Sequence, residues 1–491
     1  MTLYKFDLYR GLRDRQPDIL LEAEAIGRAL GFADGQRGKI GVSASNSSSP
    51  GPLRAAVVDA LVRGSGDFFP LVQTGDEVRR VVKSVLGDDY DAAVVNGAEA
   101  ALATSYAALL APSQVGPGES ARARVVVPYE RHIEHHASYG RTVPGLYKDL
   151  FADRGATAGE LGLMGRRLPN VDVALVRLAG ARYPVHGIKS YPVPLLLDVD
   201  AEASATALAD TADLDPAQLA GFVALGYDTP GFGHAQKDAD GTSVLHQRIG
   251  ELAAQRGVPF VADNAWGMPF LGTDLRRIGA DVAFYSMDKV AGGPTAGLII
   301  GREGPMVNIR RALGIHSERF GSVSAHGKGS HVAFDPGKEG LVGTLAALRV
   351  LRDQPRVILD AIDTTYAIVQ EEFERIQGDL KPGIVITRSV NAGGVEVNYE
   401  RTWHNLGPGQ FGIPIFTHED RIAQSNVLNN ALARMGVVPN LSDDANILIT
   451  PGAGTTDAHG RVDEGALRLV VRGQLAALRL IQDWGDRLAA A

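Results

Sequence analysis

The stretch ADVAFYSMDKVAGGPTAGLIIG, residues 280–301, decides the fold of this 491-residue chain. Its apolar runs at 282–285 and 298–300 predict two short buried strands, and a Gly-rich turn between them carries Lys289. A third apolar run, at 260–262, ends at Asp263. Because Lys289 and Asp263 both follow short apolar runs, we expect each to emerge at the edge of a parallel sheet.

The same pattern of short apolar runs extends over most of the chain. Helical periodicity separates the runs, for example at 76–86 and 243–255, and strands that alternate with helices predict an α/β fold with a mostly parallel sheet. The predicted strands of this sheet, of a seven-stranded type, are 92–95, 125–127, 173–176, 222–225, 260–262, 282–285 and 298–300.

Three regions are predicted from these patterns. Residues 1–75 form an N-terminal arm, 76–338 a large cofactor-binding domain, and 339–491 a smaller C-terminal α/β domain. The C-terminal region has helical periodicity at 339–352, 357–376 and 473–489.

Composition excludes several classes of protein. The net charge of −8 and pI near 5.9 argue against nucleic-acid binding, which needs a basic face. The chain has no cysteine, which excludes disulfides, thiolate metal sites and a cysteine nucleophile. No apolar run reaches the roughly 18 residues that span a bilayer, and the N-terminus is not a secretory signal. We therefore expect a cytoplasmic protein without a membrane partner.

Lys289 and Asp263 together suit one cofactor. A lysine at a strand end can form a Schiff base with an aldehyde, and a neighbouring aspartate can pair with a pyridinium nitrogen; both are features of pyridoxal 5'-phosphate (PLP) sites. Taken singly, Asp263 could be a helix cap and Lys289 a solvated residue. Their joint placement, with Ser286 and the Gly-rich turn beside them, favours a PLP site.

A candidate phosphate site follows the strand at 92–95. Gly97 and Ala98 open the helical run 100–110, where backbone N–H groups and the helix dipole attract an anion. The alternative is an ordinary strand–helix turn. Glu99 at this position repels a phosphate unless its side chain points away, and Ser286 can add a hydroxyl.

The candidate for stacking on the cofactor ring, and for relaying protons as a catalytic residue, is His135, after the run 125–127. In the same segment His132 and His136 have the i, i+4 spacing of a helical metal pair, although no third ligand has a sequence signal. A structural role for these histidines is the remaining alternative. We predict stacking and no metal.

Three segments resemble parts of the fold-type I PLP-dependent enzymes, the aspartate aminotransferase superfamily. The run 286–301 resembles the lysine segment of bacterial selenocysteine synthase-like proteins. The sequence EHHAS at 134–138, with 76–110 before it, is similar to the pattern of cysteine desulfurases and class V aminotransferases. The sequence DNAWGMPF at 263–270 resembles the cystathionine lyase and synthase group.

This resemblance implies a role for each matching position. Lys289 would carry the cofactor and then serve as the base at the substrate Cα, and Asp263 would hold the pyridinium nitrogen. The other implied cofactor contacts are Ala265 below the ring, His135 above it, Ser286, Gly97, Ala98 and Glu99 around the phosphate, and Asp228 or Thr229 at the ring hydroxyl. Arg468 resembles the arginine that binds the substrate carboxylate, and its alternative is a surface arginine on a strand.

The chain also departs from these families. Glu99 stands where a phosphate-loop threonine is expected, Trp266 replaces the glutamine of desulfurases, and Asp288 replaces their histidine. The segment 404–416 matches no known pattern, and our hypothesis is that it influences substrate choice.

The predicted reaction is β- or γ-elimination or replacement on an amino acid, because two of the three resemblances are to groups with that chemistry. Transamination is the alternative, followed by epimerisation and aldolase-type cleavage, with a non-catalytic PLP-fold protein last. The absence of cysteine excludes the usual desulfurase mechanism. The resemblance also implies a homodimer, with the turn 335–338 reaching the neighbouring phosphate site.

Overall fold

The computed structural model describes residues 5–46, 49–110, 124–129, 189–194, 201–214, 216–230, 234, 236–314, 334–403, 406–407, 410–416, 420, 424–440, 442–443 and 445–491. The strands, numbered in chain order, are β1 Ile40–Gly41, β2 Ser45–Asn46, β3 Ser49–Pro50, β4 Tyr90–Val95, β5 Arg124–Tyr129, β6 Lys189–Pro194, β7 Leu219–Leu225, β8 Phe260–Asp263, β9 Val282–Ser286, β10 Gly297–Arg302, β11 Val385–Ser389, β12 Gly394–Asn398, β13 Val437–Val438, β14 Ser442–Asp443 and β15 Asn446–Ile449. The α-helices are Lys5–Asp14, Gln16–Ala29, Ala55–Gly66, Leu71–Leu86, Ala98–Leu109, Ala201–Asp213, Val244–Arg256, Leu275–Ile278, Glu303–Ala312, Gly337–Asp353, Pro355–Glu374, Val427–Met435 and Glu464–Ala490.

The large sheet has seven strands in the order β4-β10-β9-β8-β7-β5-β6. Only β10 is antiparallel to its neighbours, and the other pairings are parallel. The predicted α/β fold with a mostly parallel seven-stranded sheet is therefore confirmed. The reversal of β10 was not predicted. It follows from the short connection 287–296, since a parallel crossover takes about a dozen residues or more.

One edge of this sheet differs from the predicted strands. The outermost strand is β6, which contains Pro192 and Pro194. Proline cannot donate a hydrogen bond to a neighbouring strand, so it is tolerated at a sheet edge. For the same reason, prolines in a sequence argue against predicting a strand there. The predicted strand at 173–176 lies outside the described residues.

Two of the hydrophobic cores in the described part of the chain distinguish the large sheet from the C-terminal region, and a third covers the other face of the large sheet. The first lies on the large sheet and includes Val57, Leu341 and Leu348, so helices Ala55–Gly66 and Gly337–Asp353 pack there. The second joins Leu8 and Ile19 of the N-terminal helices to the C-terminal region. The predicted domain division at 338 stays a prediction, and this grouping favours a boundary nearer residue 354.

The C-terminal region contains a four-stranded antiparallel sheet in the order β11-β12-β15-β14. Helix Pro355–Glu374 contributes Ile358 and Ile362 to the first core and Ile368 and Val369 to the second. This helix therefore belongs to both cores and links the two sheets.

Helix termini follow local capping chemistry. The Ser243 side chain accepts from the backbone N–H of His246 at the start of helix Val244–Arg256, and Gly257 ends that helix in the left-handed region, at φ 61°.

Asp463 caps the final helix, because its side chain accepts from the backbone N–H of Ala466 at 3.0 Å. That helix therefore starts well before the predicted 473–489 run and includes Arg468, so the alternative of a strand position for Arg468 is wrong.

Within the described residues, no helix is long and apolar enough to cross a membrane.

Candidate active site

Asp263 and Lys289 lie at the ends of neighbouring parallel strands, as predicted. Asp263 is the last residue of β8 and lies in register with Phe284 of β9, whose strand ends at Ser286. Asp263 is only 7% exposed, and its sheet is flanked by apolar residues. Lys289 is half-buried in the turn after β9. The two residues therefore lie at the same edge of the sheet.

The turn that carries Lys289 is closed by backbone hydrogen bonds. The Lys289 N–H donates to the Ser286 carbonyl at 3.4 Å, and the Gly292 N–H donates to the Lys289 carbonyl at 3.1 Å. Gly292 has φ +68°, in the region that favours glycine. The Gly-rich turn thus fixes where the lysine leaves the sheet.

An aromatic pair borders the lysine. The Lys289 Nζ lies 5.8 Å from the ring centroid of Trp266. The Trp266 ring stacks on the Tyr227 ring at 4.9 Å with an interplanar angle of 13°. The backbone N–H of Trp266 donates to the Tyr227 hydroxyl at 3.2 Å. In the sequence, Trp266 appears as a departure from desulfurases and as part of the cystathionine-like segment, without a role at the site, and Tyr227 has no signal. The pair lies on two strand-end loops, and only the fold brings those loops together.

The candidate phosphate loop lies at the same edge. Val95 of β4 pairs with Gly297, and Gly297 pairs with Ser286, so the ends of β4 and β9 are level across β10. Two strand spacings separate them by roughly 10 Å. Gly97 caps helix Ala98–Leu109, whose first N–H groups have no partner within the helix. This arrangement suits an anion at the helix start.

Glycine is required opposite this loop. A Cβ at Gly297 would collide with the carbonyl oxygen of Gly97. The Glu99 carboxylate also lies near, since its Oε2 is 3.6 Å from the position of a Cβ on Gly97. A phosphate at the helix start therefore requires the Glu99 side chain to rotate away, and its exposure to solvent permits that rotation.

Ser286 has a partner that the sequence did not predict. Its hydroxyl donates to Asp288 Oδ1 at 2.5 Å, and both residues are buried. While this bond holds, the Ser286 oxygen can accept a hydrogen bond but its proton is committed to Asp288. The role of Ser286 at the phosphate stays a prediction, which requires the hydroxyl to leave Asp288.

The two candidates for the ring hydroxyl differ in their environments. The Asp228 carboxylate accepts from Lys237 Nζ at 2.8 Å and from the Ser389 hydroxyl at 3.1 Å. The Thr229 hydroxyl is buried and has no hydrogen-bond partner among the described residues. A buried polar atom without a partner costs free energy, so Thr229 fits a missing ligand better than Asp228 does.

Ala265 connects the two strand ends. Its N–H donates to Asp263 Oδ1 at 3.2 Å, and its carbonyl accepts from the Ser286 N–H at 3.1 Å.

Tyr106, on helix Ala98–Leu109, is another residue near Asp263 that the sequence did not reveal. Burial raises the pKa of the Tyr106 phenol, and the nearby Asp263 carboxylate raises it further. Tyr106 therefore presents a neutral phenol near Asp263.

Arg468 has carboxylate partners in this structure. Its Nη1 donates to Glu371 at 2.7 Å and to Glu372 at 3.2 Å, which lie on helix Pro355–Glu374. Its role at the substrate carboxylate stays a prediction, and Arg468 would have to break these bonds to bind a substrate.

The predictions for His135, His132 and His136 concern residues that lie outside the described residues.

The segment 404–416 is described only at 406–407 and 410–416. Ile413 and Phe416 are buried in the second core, and the Ile413 carbonyl accepts from the Trp403 indole at 2.6 Å. This part of the segment packs inside the C-terminal region, and its predicted influence on substrate choice stays a prediction.

A small cavity adjoins Lys289. Its volume is about 70 Å³, and Arg54 from the predicted arm also lines it. Sequence reasoning missed Arg54, because nothing in the local Pro- and Gly-rich sequence connects it with the lysine turn.

Comparison with known proteins agrees with this topology. No family model matches the chain. A solved taurine:2-oxoglutarate aminotransferase from Bifidobacterium kashiwanohense, in complex with PLP and glutamate, matches with 12% identity and a TM-score of 0.50, over 86% of this chain and 85% of its own. A pyridoxamine-pyruvate aminotransferase from Mesorhizobium loti matches with 14% identity and a TM-score of 0.48, over 92% and 99%. At these identities the likeness concerns the fold alone: the chain shares the fold of the taurine:2-oxoglutarate aminotransferase, as the resemblance of its motifs implied.

Proposed function

We propose that this protein is a PLP-dependent enzyme that acts on an amino-acid substrate. The observation that carries the proposal is the placement of Asp263 and Lys289 at the ends of the adjacent parallel strands β8 and β9. The orphaned hydroxyl of Thr229 and the helix start at Ala98 add a polar contact and an anion site at strand ends of the same sheet. These residues fit the aldehyde, the ring nitrogen, the ring hydroxyl and the phosphate of PLP.

Each residue has a distinct task in this proposal. When bound, PLP supplies an electron sink for the electron pair that remains when a bond to the substrate Cα breaks. The Asp263 carboxylate keeps the ring nitrogen protonated, and Thr229 donates a hydrogen bond to the ring oxygen. The Lys289 amine anchors the cofactor and removes the Cα proton once the substrate has displaced it. The Trp266–Tyr227 pair restricts the volume beside the lysine.

We propose β- or γ-elimination or replacement as the reaction. The support is in the sequence, since the lysine segment resembles selenocysteine synthase-like proteins and the Asp263 segment resembles the cystathionine group. Both groups act at side-chain substituents. Transamination is the main alternative, and product analysis separates the two.

The test is an amino-acid panel with PLP-loaded protein, assayed for ammonia and 2-oxo acid without any acceptor. Elimination predicts equal amounts of ammonia and 2-oxo acid from wild type, with none from Lys289→Ala. Amino transfer that depends on an added 2-oxo acid, without ammonia release, would replace elimination by transamination. Failure of the protein to bind PLP would contradict the proposed function as a whole.

We also propose that the active protein is a homodimer. The support is three exposed apolar residues between positions 58 and 68: Val58, Val62 and Phe68 are 41%, 70% and 99% exposed. This stretch lies near the predicted 335–338 turn, because Lys338 Nζ donates to the Ser65 and Asp67 carbonyls. Light scattering of wild type and Phe68→Ser tests this, and a monomeric wild type would contradict it.

A further inference from the structure

Arg54 is attached to the turn that carries Lys289. Its backbone N–H donates to the Gly292 carbonyl at 3.5 Å, and it directly precedes helix Ala55–Gly66. Because Gly292 closes the Lys289 turn, this bond holds Arg54 beside the lysine.

The Arg54 guanidinium has no partner within the described part of the chain. Its Nε is buried and makes no hydrogen bond, and no described carboxylate lies within 4.0 Å of it. Burial lowers the pKa of Arg54, and no nearby acid opposes that effect. The buried Arg310 differs in having a carboxylate partner, since its Nη1 pairs with Asp91 at 2.6 Å. A buried cation without an anion is costly, so the site is built for an anionic ligand.

The backbone leaves room for this guanidinium at two glycines. A Cβ at Gly292 would lie 2.7 Å from Arg54 Nε, and a Cβ at Gly460 would lie 3.2 Å from Nη1. Gly460 has φ +80°, so a side chain there is disfavoured by the backbone as well. Both glycines line the cavity that Arg54 and Lys289 share.

The cavity has the size and charge for a carboxylate. Its volume of about 70 Å³ is roughly the liquid volume of two water molecules. Asp457 is the one acid among its lining residues, and its carboxylate accepts from Arg461 Nε at 2.7 Å and from the His459 N–H at 2.8 Å. Arg54 and Lys289 are the basic groups that face this space.

We infer that Arg54 binds a carboxylate of the substrate while the substrate amine reacts at Lys289. The inference rests on the proposed function for the amine, whereas the anion site stands on Arg54 and the cavity alone. A guanidinium suits a carboxylate because its two N–H groups make parallel charge-assisted bonds. Arg54 thereby takes the carboxylate-binding role that the resemblance implied for Arg468, which is held by Glu371 and Glu372. The carboxylate is either that on Cα or one at the end of the side chain.

The experiment compares three four-carbon amines: one with a carboxylate next to the amine, one with a carboxylate at the far end of the chain, and one without a carboxylate. With PLP-loaded protein, absorbance titrations measure the Kd of 2-aminobutyrate, 4-aminobutyrate and butylamine for wild type, Arg54→Gln, Arg54→Lys and Arg468→Gln. Loss of the guanidinium should weaken the carboxylate-bearing ligand by roughly tenfold to a hundredfold. We expect butylamine to be unaffected, Arg54→Lys to recover part of the loss, and Arg468→Gln to match wild type. If Arg54→Gln binds 2-aminobutyrate more weakly, Arg54 contacts the Cα carboxylate. If it binds 4-aminobutyrate more weakly, Arg54 contacts a carboxylate at the end of the side chain.

A second measurement does not depend on the cofactor. Calorimetry with butyrate on the protein without PLP should show binding to wild type and at least tenfold weaker binding to Arg54→Gln, with unchanged melting temperature. The inference would be overturned if wild type and Arg54→Gln bound butyrate equally, or if wild type did not bind butyrate. It would also be overturned if Arg54→Gln bound all three amines more weakly by the same factor. A protein that binds butyrate through Arg54 but never binds PLP would retain the anion site and contradict the proposed function.

Discussion

Asn391 and Asn264 exchange two side-chain hydrogen bonds, of 2.9 and 3.0 Å, deep between the two sheets. Asn264 directly follows Asp263, and Asn391 follows β11 of the C-terminal sheet. Asn391 also donates to the Gly226 carbonyl at 3.0 Å and accepts from the Thr273 N–H at 3.0 Å. This amide pair therefore attaches the C-terminal region to the loop that positions the candidate ring aspartate.

Replacing Asn391 should destabilise the protein. We expect Asn391→Ala to lower the free energy of unfolding by about 2–4 kcal/mol, because several buried donors and acceptors lose their partner. The exposed helix residue Asn308 offers a matched control, and Asn308→Ala should change stability by less than about 0.5 kcal/mol. Urea denaturation of the three proteins measures both values, and equal stability of the two variants would show that the amide pair contributes little.

Thr229 should contribute to PLP affinity and little to stability. Thr229→Val removes a buried hydroxyl that has no partner among the described residues, so we expect the melting temperature to stay close to wild type while PLP binds about tenfold more weakly. Thr344 is the control, because its hydroxyl is also buried and unpartnered within the described residues but lies on helix Gly337–Asp353. Thr344→Val should leave PLP affinity unchanged. Equal PLP affinities for the two variants would remove Thr229 from the site.

The fold was predictable from local pattern, whereas parts of the site were not. The strand at 282–286 and the turn carrying Lys289 are visible as an apolar run followed by glycines, and the register of Asp263 with Phe284 follows from the parallel sheet. Arg54 and Tyr227 are distant in sequence from Lys289, and tertiary packing alone brings them to it. The helix position of Arg468 was missed because the run LRLVV reads as a strand until the cap at Asp463 is taken into account.

Asp91 should be the most sensitive acidic residue of the large sheet. Its carboxylate, 1% exposed, accepts from Arg79 at 2.6 Å and from Arg310 at 2.6 Å. Burial works to raise the pKa of Asp91, but the two arginines outweigh it and lower the pKa. Asp91→Asn should lower the free energy of unfolding by about 3–5 kcal/mol, because two buried cations lose their anion.

The control for Asp91 is an exposed ion pair. Asp360 lies 3.6 Å from Arg356 and is 68% exposed, so Asp360→Asn should cost at most about 1 kcal/mol. Since the pKa of folded Asp91 is lowered, its stabilisation is present above the ordinary aspartate pKa and is lost as the pH falls through the folded value. An acid titration of stability that is the same in wild type and Asp91→Asn would contradict this assignment.

A buried histidine pair should make the protein less stable in mild acid. The rings of His234 and His246 stack at 3.8 Å, and burial lowers the pKa of His246 to about 4 against the hydrogen bond to the Leu225 carbonyl, which raises it. Burial also lowers the pKa of His234. Because the folded protein favours the neutral rings, stability is complete above the ordinary histidine pKa near 6.5 and declines as the pH falls toward 4.

Melting temperatures across that pH range test this prediction. His246→Gln retains a donor for the Leu225 carbonyl and should flatten the decline, whereas His459→Gln, at an exposed position, should follow wild type. A wild-type melting temperature that does not change between pH 7 and pH 5 would rule out the neutral histidine pair.

The most direct test of the central claim is where PLP attaches. The protein is incubated with PLP, reduced with borohydride and digested, and the modified peptide is identified by mass spectrometry, with Lys289→Ala and Lys237→Ala treated alike. The account predicts a pyridoxyl group on Lys289 in wild type and Lys237→Ala, a visible absorbance band that disappears on reduction, and neither in Lys289→Ala. A modification that remains in Lys289→Ala, or a protein that stays colourless with excess PLP, would contradict it.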